Sequence, residues 1–126
     1  MSPSIDKAQE LAFEAVECVS CAQSMLFSTI YRTETSRCWA VTKELSTLDH
    51  KLEVMFIKFQ PEKALNKKIV SAKAALNSAR THALFAYSYI YHKTKLGYYQ
   101  KEQAELRSCD LKLKEVKSIL TSIQSL

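Results

Sequence analysis

Glycine and proline are almost absent from this chain of 126 residues, which contains only Gly97, Pro3 and Pro61. Tight turns between β-strands depend on these two residue types, so their scarcity argues against a sheet protein and favours a few long helices. Apolar residues make up 47% of the sequence, which is too many for an intrinsically disordered chain. The composition therefore predicts an all-α fold in one domain.

Long apolar runs are missing as well, since none approaches the ~20 residues that a membrane-spanning helix needs. The N-terminus reads MSPSIDK and lacks the basic-then-apolar profile of a secretory signal. The cysteines, Cys18, Cys21, Cys38 and Cys109, are too irregularly spaced for a disulfide framework. We therefore expect an intracellular protein with reduced thiols and no association with a membrane.

Residues that would form a catalytic or metal site are few and scattered. Cys18 and Cys21 form a CxxC pair, but a zinc site would need a second pair or a nearby histidine. His50, His82 and His92 are far apart in the sequence, and neither a Glu-x-x-His pair nor a glycine-rich phosphate loop occurs. The sequence predicts no enzyme activity, no small-molecule substrate, no cofactor and no metal ion.

Acidic residues are missing from a long stretch in the middle of the chain, between Glu62 and Glu102. The same stretch has eight basic residues, which are Lys63, Lys67, Lys68, Lys73, Arg80, Lys93, Lys95 and Lys101. This pattern is typical of a solvated face in a larger complex, or of a surface that contacts an acidic partner such as a tubulin tail, a nucleic acid or an acidic helix. For the second alternative, the candidate contacts are Lys63, Lys67, Lys68 and Lys73.

Apolar residues at alternating spacings of three and four are abundant. The clearest stripe lies within residues 38–59 and consists of Cys38, Val41, Leu45, Leu48, Leu52, Met55 and Phe59. This spacing forms the apolar side that a helix presents to partner helices. We expect Pro61 to end or bend this helix, because proline has no N–H to donate and clashes with the preceding turn.

Three further stripes follow the same rule. The first is rich in small residues, which should allow a close approach to another helix, and contains Ile5, Ala8, Ala12, Ala15, Val19, Ala22, Leu26 and Ile30. The other two contain Leu65, Ile69, Ala72, Leu76, Ala79, Ala83, Ala86 and Ile90, and then Tyr99, Glu102, Leu106, Cys109, Leu113, Val116, Leu120 and Ile123. Because neighbouring stripes are out of phase, we expect three to four long amphipathic helices, over about residues 3–33, 36–59, 61–96 and 99–125, in coiled-coil or bundle packing.

Several residues suit the ends of these predicted helices. Ser2 is placed as the N-cap of the first helix, and a loop or kink is expected over residues 31–37. Gly97 is predicted to cap the C-terminus of the third helix, where Lys93 and Lys95 would face the negative end of the helix dipole.

Aromatic residues are concentrated in the second half of the third predicted helix. Apolar and aromatic side chains there surround the helix nearly completely: Leu84, Phe85, Tyr87, Tyr89, Ile90 and Tyr91. A helix that is covered on one side only does not need such a distribution, so we expect this segment to lie centrally in a bundle or to contact a second partner. Trp39 lies beside the second stripe and is interpreted as an interface anchor. Aromatic residues at helical spacing more often serve packing than base stacking, which makes direct nucleic-acid binding a weaker hypothesis.

Two short elements flank the second stripe: Lys43-Glu44-Leu45-Ser46 and Lys58-Phe59-Gln60-Pro61. Together with Ile5-Asp6-Lys7, Leu11 and Phe13 near the start, they resemble the second subunit of the spindle and kinetochore-associated (Ska) complex. The resemblance covers roughly residues 5–20 and 43–61. Beyond Pro61 only the long-helix character agrees.

This resemblance implies a coiled-coil scaffold subunit that interlocks with helices of the first and third Ska subunits and associates with microtubules indirectly. Such a protein would lie at the kinetochore and spindle in mitosis and otherwise in the cytoplasm. The stripe residues would then form the protein interface: Val41, Leu45, Leu48, Leu52, Met55, Phe59, Leu65, Ile69, Leu76, Ile90, Leu106, Leu113, Val116 and Leu120. Two alternatives stay open, a self-contained four-helix adaptor or chaperone-type protein, and a direct polyanion binder acting through residues 63–101.

Overall fold

Four long α-helices make up nearly all of the computed structural model, which describes residues 3–92 and 97–126. Helix α1 spans Pro3–Tyr31, α2 spans Thr35–Lys58, α3 spans Lys63–Tyr91 and α4 spans Tyr98–Gln124. None of the described residues lies in a strand. The predicted all-α fold of three to four long helices is confirmed, and the described residues form four.

The helices form an antiparallel four-helix bundle in which each packs against two neighbours. Helices α1 and α3 each contact both α2 and α4, whereas among the described residues no Cα atoms of α1 and α3, or of α2 and α4, come within 8 Å of each other. The side-chain amide of Gln9, near the start of α1, donates to the carbonyl of Gln124 at the end of α4. At the other end of the same pair, Gln103 donates to the carbonyl of Ile30. Short connections between sequential helices are typical of this topology.

The four apolar stripes meet in one continuous core. Every residue of the α2 and α3 stripes is buried, and so is every residue of the α1 stripe except the half-buried Ile5 and Ile30 at its ends. The two diagonals differ, because α1 and α3 contribute mostly alanines, whereas α2 and α4 contribute larger side chains, of which leucine is the most frequent. Small side chains on one diagonal therefore leave room for large ones from the other, which is how interdigitated cores reach native packing density.

Tyr99 is the one stripe residue that the structure places largely in solvent. Gln103 of α4 contacts Ile30, and α1 ends at the next residue, Tyr31. Tyr99 lies one turn before Gln103 in α4 and is therefore beyond the end of α1. With no helix to cover it on that side, the tyrosine is exposed. The buried stripe of α4 begins at Glu102, which is almost completely buried.

The helix ends differ from the predicted ones by a few residues. The predicted loop after α1 is confirmed and occupies residues 32–34. Pro61 lies in the turn that ends α2, where the N–H of Glu62 donates to the carbonyl of Phe59 at 3.0 Å, so α3 begins at Lys63, two residues later than predicted. None of the described helices is both long and apolar enough to cross a membrane.

The prediction that Gly97 caps the C-terminus of α3 is wrong. Helix α3 ends at Tyr91 with His92 as its C-cap, and Gly97 instead precedes α4 as its N-cap residue. Its backbone φ is +83°, a left-handed conformation that glycine adopts without steric cost. The predicted roles of Ser2, Lys93 and Lys95, and the predicted helix end at residue 96, lie outside the described residues.

Replacing Gly97 with alanine should destabilise the protein by about 1 kcal/mol. An added Cβ would meet no heavy atom within 4 Å, so the effect comes from the left-handed backbone alone. Urea unfolding followed by circular dichroism measures it. Gly97→Asn is the matched variant and should lose less, because asparagine tolerates this conformation better than alanine. A Gly97→Ala protein as stable as the parent would contradict the assigned conformation.

Candidate interaction surface

The predicted interface residues all lie inside the chain's own core. Each is at most 5% exposed: Val41, Leu45, Leu48, Leu52, Met55, Phe59, Leu65, Ile69, Leu76, Ile90, Leu106, Leu113, Val116 and Leu120. They come from α2 and its C-cap Phe59, from α3 and from α4, and together with the buried residues of α1 they form the single core of the bundle. An interface with other subunits through these residues would require the helices to separate.

The four lysines predicted as polyanion contacts do not form one patch. Lys73 points toward α2, where it pairs with Glu53 and its Nζ lies 4.4 Å from the centre of the Phe56 ring. Lys68 points toward α4 and donates to the hydroxyl of Ser122 at 3.1 Å. Only Lys63 and Lys67 are exposed. The structure therefore divides these charges among different sides of α3.

The CxxC cysteines also point in different directions. The Cys18 thiol is buried and donates to Oε1 of Glu44 in α2 at 3.2 Å, whereas Cys21 is exposed. The described residues contain no group of three or more histidine, cysteine and acidic side chains that would hold a metal ion. His82 and Glu105 lie 2.6 Å apart, but their contact joins α3 to α4 as an isolated pair.

Cys21 should be the only thiol that reacts rapidly in the folded protein. Burial raises the pKa of Cys38 to about 11 and the pKa of Cys109 to about 12. Burial and the hydrogen bond to Glu44 raise the pKa of Cys18 to about 12. Because the thiolate is the nucleophile, at pH 8 only about one in a thousand or fewer of these three thiols would be reactive even where a reagent reached them.

Labelling with a maleimide at pH 8 should therefore modify one thiol per chain in buffer and all four in denaturant. Intact-mass measurement counts the adducts, and Cys21→Ser should remove the rapid one. Rapid labelling of Cys18 in the folded Cys21→Ser protein would contradict the described burial.

One end of the bundle collects most of the aromatic residues. At this end α1 and α3 finish while α2 and α4 begin, and all six tyrosines and the single tryptophan lie within five residues of those helix termini. We call this set, together with Phe27, the aromatic end: Phe27, Tyr31, Trp39, Tyr87, Tyr89, Tyr91, Tyr98 and Tyr99. All four helices contribute to it, so the cluster is a product of the topology.

On the α2–α3 side, aromatic rings form a continuous row. The ring centres of Trp39 and Tyr87 are 5.3 Å apart across the two helices. One turn further along α3, Tyr91 stacks on Tyr87 with ring centres 6.3 Å apart and an interplanar angle of 28°. Leu84 lies one turn before Tyr87 and lines a small hollow with Thr42 and residues 46 and 80. This side of the aromatic end therefore presents a row of apolar side chains.

On the α3–α4 side, two tyrosines and a lysine form a second group. Tyr89 of α3 meets Tyr98 of α4 edge to face, with ring centres 5.1 Å apart. The ammonium of Lys101 lies 5.3 Å from the centre of the Tyr98 ring and 5.7 Å from that of Tyr89. These contacts hold α3 against α4 and place a cation at the same surface.

Several rings of the aromatic end are about half exposed to solvent or more. The exposed fraction is 83% for Tyr31, 71% for Phe27, 66% for Tyr91, 65% for Tyr99 and 49% for Trp39. Tyrosine and tryptophan are enriched where proteins bind one another, since each combines a large apolar area with a polar atom. A cluster of exposed rings at one end is thus a candidate binding surface.

The charges around the aromatic end are predominantly positive. Glu34 pairs with both Arg32 and Arg37, at 3.4 and 3.1 Å, so one carboxylate lies between two guanidinium groups. Among the described residues within two helical turns of this end, the other acidic side chain is that of Glu102, which is only 1% exposed. Lys101 adds a further cation. The surface that remains available is basic as well as aromatic.

The sequence indicated this surface only in part. The aromatic block of α3 was expected to be central or to contact a second partner, and the structure buries Ile90 but leaves Leu84, Phe85 and Tyr91 about half exposed or more. The block therefore lies at the periphery of the bundle. The signal that would have revealed the cluster is that aromatic residues flank both connections at this end, at Tyr31 and Trp39 and again at Tyr91 and Tyr98.

Comparison with known proteins does not extend the resemblance to the Ska complex. No protein-family model matches the chain, and no curated protein and no solved structure shows significant similarity to it. In the structure the two Ska-like elements lie within α2 and at its C-terminal end, where Leu45 and Phe59 point into the core.

Proposed function

We propose that this chain is a non-enzymatic adaptor, a self-contained four-helix bundle that binds a protein partner through its surface. One observation supports this function above all: the four apolar stripes cover one another within a single chain, while large aromatic side chains stay exposed at one end. A stable bundle that displays an aromatic cluster has what a binding module needs, which is a rigid support and an anchor surface.

The polar pairs of the bundle support the same view. Arg80 pairs with Asp49 at 3.3 Å and joins α3 to α2, much as Lys73 and Glu53 do further along. His82 and Glu105 join α3 to α4. Each pair links two neighbouring helices, so these side chains act in holding the helices in register.

The isolated chain provides the test. Light scattering should give the mass of a monomer, and circular dichroism should show one cooperative melting transition of a helical protein. A chain that is soluble only when co-expressed with other subunits, or that melts without cooperativity, would contradict the self-contained bundle.

A Ska-like scaffold role is the second candidate, favoured by the elements Lys43-Glu44-Leu45-Ser46 and Lys58-Phe59-Gln60-Pro61 on either side of the α2 stripe. In that role the chain would support the attachment of chromosomes to spindle microtubules. Its helices would pack against helices of the first and third subunits instead of against one another. Co-expression with these two subunits tests it. A stable ternary complex would favour the candidate, and a chain that stays monomeric beside both would dismiss it.

Direct binding of a polyanion through residues 63–101 has less support. Only Lys63 and Lys67 of the four candidate lysines are exposed, while Lys68 contacts Ser122 and Lys73 is already paired with Glu53. Affinity for nucleic acid or microtubules that falls steeply with salt, and that Lys63→Ala and Lys67→Ala together abolish, would nevertheless establish it.

A further inference from the structure

We infer that the aromatic end is the docking site of the adaptor, and that its ligand is an acidic protein segment in which carboxylates alternate with aromatic or aliphatic side chains. This inference rests on the proposed adaptor function and adds to it the location of the site and the chemistry of the partner.

The apolar part of the ligand follows from the row formed by Trp39, Tyr87 and Tyr91. Trp39 and Tyr91 are about half and two-thirds exposed, and Tyr87 between them is partly buried against both. Rings that are fixed by neighbouring rings lose little conformational entropy when a ligand covers them. The row is therefore a preorganised anchor for apolar side chains of a partner.

The acidic part of the ligand follows from the charges. Arg32 and Arg37 share the single carboxylate of Glu34, and the Arg32 side chain remains 62% exposed. Lys101 is exposed and its ammonium lies over the rings of Tyr89 and Tyr98, where it can pair with the carboxylate of a partner. The positive charge of this surface therefore favours an acidic partner and disfavours a basic one.

The ring contacts favour a peptide over a single-stranded nucleic acid. Base stacking needs free ring faces, but Tyr87 and Tyr91 stack on each other, and Lys101 lies over the faces of Tyr89 and Tyr98. These tyrosines also carry hydroxyl groups, and Trp39 carries an indole N–H. Such polar atoms on large apolar rings suit peptide side chains and carboxylates.

Selection from a random peptide library displayed on phage tests this inference without assuming a ligand sequence. The folded full chain is the target, and the selected peptides are then synthesised and their affinity is measured by fluorescence anisotropy. We expect enrichment of aspartate and glutamate interspersed with aromatic or aliphatic residues. Trp39→Ala combined with Tyr91→Ala should weaken binding about tenfold or more, and Lys101→Glu should weaken it further.

The matched control is Phe13→Ala combined with Ile57→Ala, which removes two exposed apolar side chains far from the aromatic end. This variant should bind the selected peptides like the parent chain. Circular dichroism confirms that each variant keeps its fold, and Trp39→Phe, which retains a ring beside Tyr87, should restore most of the affinity.

Four results would overturn the inference. Selected peptides that bind the Trp39, Tyr91 and Lys101 variants unchanged would place the docking site elsewhere and leave the adaptor function standing. Basic or neutral peptides would refute the charge argument. A monomeric, cooperatively folded chain that enriches no peptide, or that binds a single-stranded oligonucleotide through the same side chains, would refute the acidic peptide ligand. A chain that is not a cooperative monomer would instead refute the proposed function.

Discussion

Replacing Leu48 with aspartate should unfold the isolated chain. Leu48 and its neighbour in the stripe, Leu52, are completely buried in the middle of α2 and belong to the apolar core. An unpaired carboxylate at such a position costs several kcal/mol, which is a large part of the ~5–15 kcal/mol that stabilises a typical domain. Leu52→Asp should have the same effect.

Circular dichroism and thermal melting of the purified variants measure this loss. The control is Thr47→Asp, which places the same charge on the exposed side of α2 one residue away and should change the stability by about 0.5 kcal/mol or less. If the Leu48→Asp chain alone retains its helicity and a cooperative transition, the α2 stripe does not lie in the core of this chain. Loss of complex formation with an unperturbed isolated chain would favour the Ska-like interface instead.

The sequence was sufficient to predict the helices and their buried sides because both depend on local spacing. The α2 stripe places Cys38, Val41, Leu45 and the residues after them on one side of a helix whatever that helix packs against. Because the spacing does not depend on what the helix packs against, the sequence could not distinguish the core of one chain from an interface between subunits. Leu45 and Leu113 would show the same spacing whether they faced helices of the same chain or helices of other subunits.

Features that depend on how several helices are arranged could not be predicted from the sequence. Tyr99 continues the α4 stripe correctly but is exposed, because α1 ends one turn too early to cover it. Lys68 and Lys73 lie five residues apart, yet one contacts α4 and the other contacts α2. Their directions are set by which helix lies on each side of α3, and the stripes do not specify that arrangement.

The aromatic end is the largest feature of this kind. Tyr31, Trp39, Tyr91 and Tyr98 come from four different helices and meet only because the helices alternate in direction. Composition showed that aromatic residues were present, and the block in α3 predicted either a central position in a bundle or contact with a second partner. Neither indicated that the rings of α1, α2 and α4 would gather at the same end.

Replacing Ala83 with leucine should destabilise the bundle by about 3 kcal/mol, at the upper end of what overpacking a core usually produces. Ala83 is completely buried, and its carbonyl oxygen lies 3.7 Å from the Cys38 thiol of α2. The alanines of α1 and α3 accommodate the larger side chains of α2 and α4, so three additional carbon atoms at this position find no space. We expect a melting temperature lower by about 10 °C, measured by calorimetry.

Ala74→Leu is the matched control for this prediction, because Ala74 lies on the exposed side of the same helix and leucine is also a good helix former. It should leave the melting temperature nearly unchanged. If the Ala83→Leu protein were as stable as the Ala74→Leu protein, the core would have space for a leucine at position 83. The alanine-rich side of α3 would then not interdigitate with the larger side chains of its neighbours. Since the same interdigitation closes the core within one chain, this comparison also tests the physical basis of the adaptor proposal.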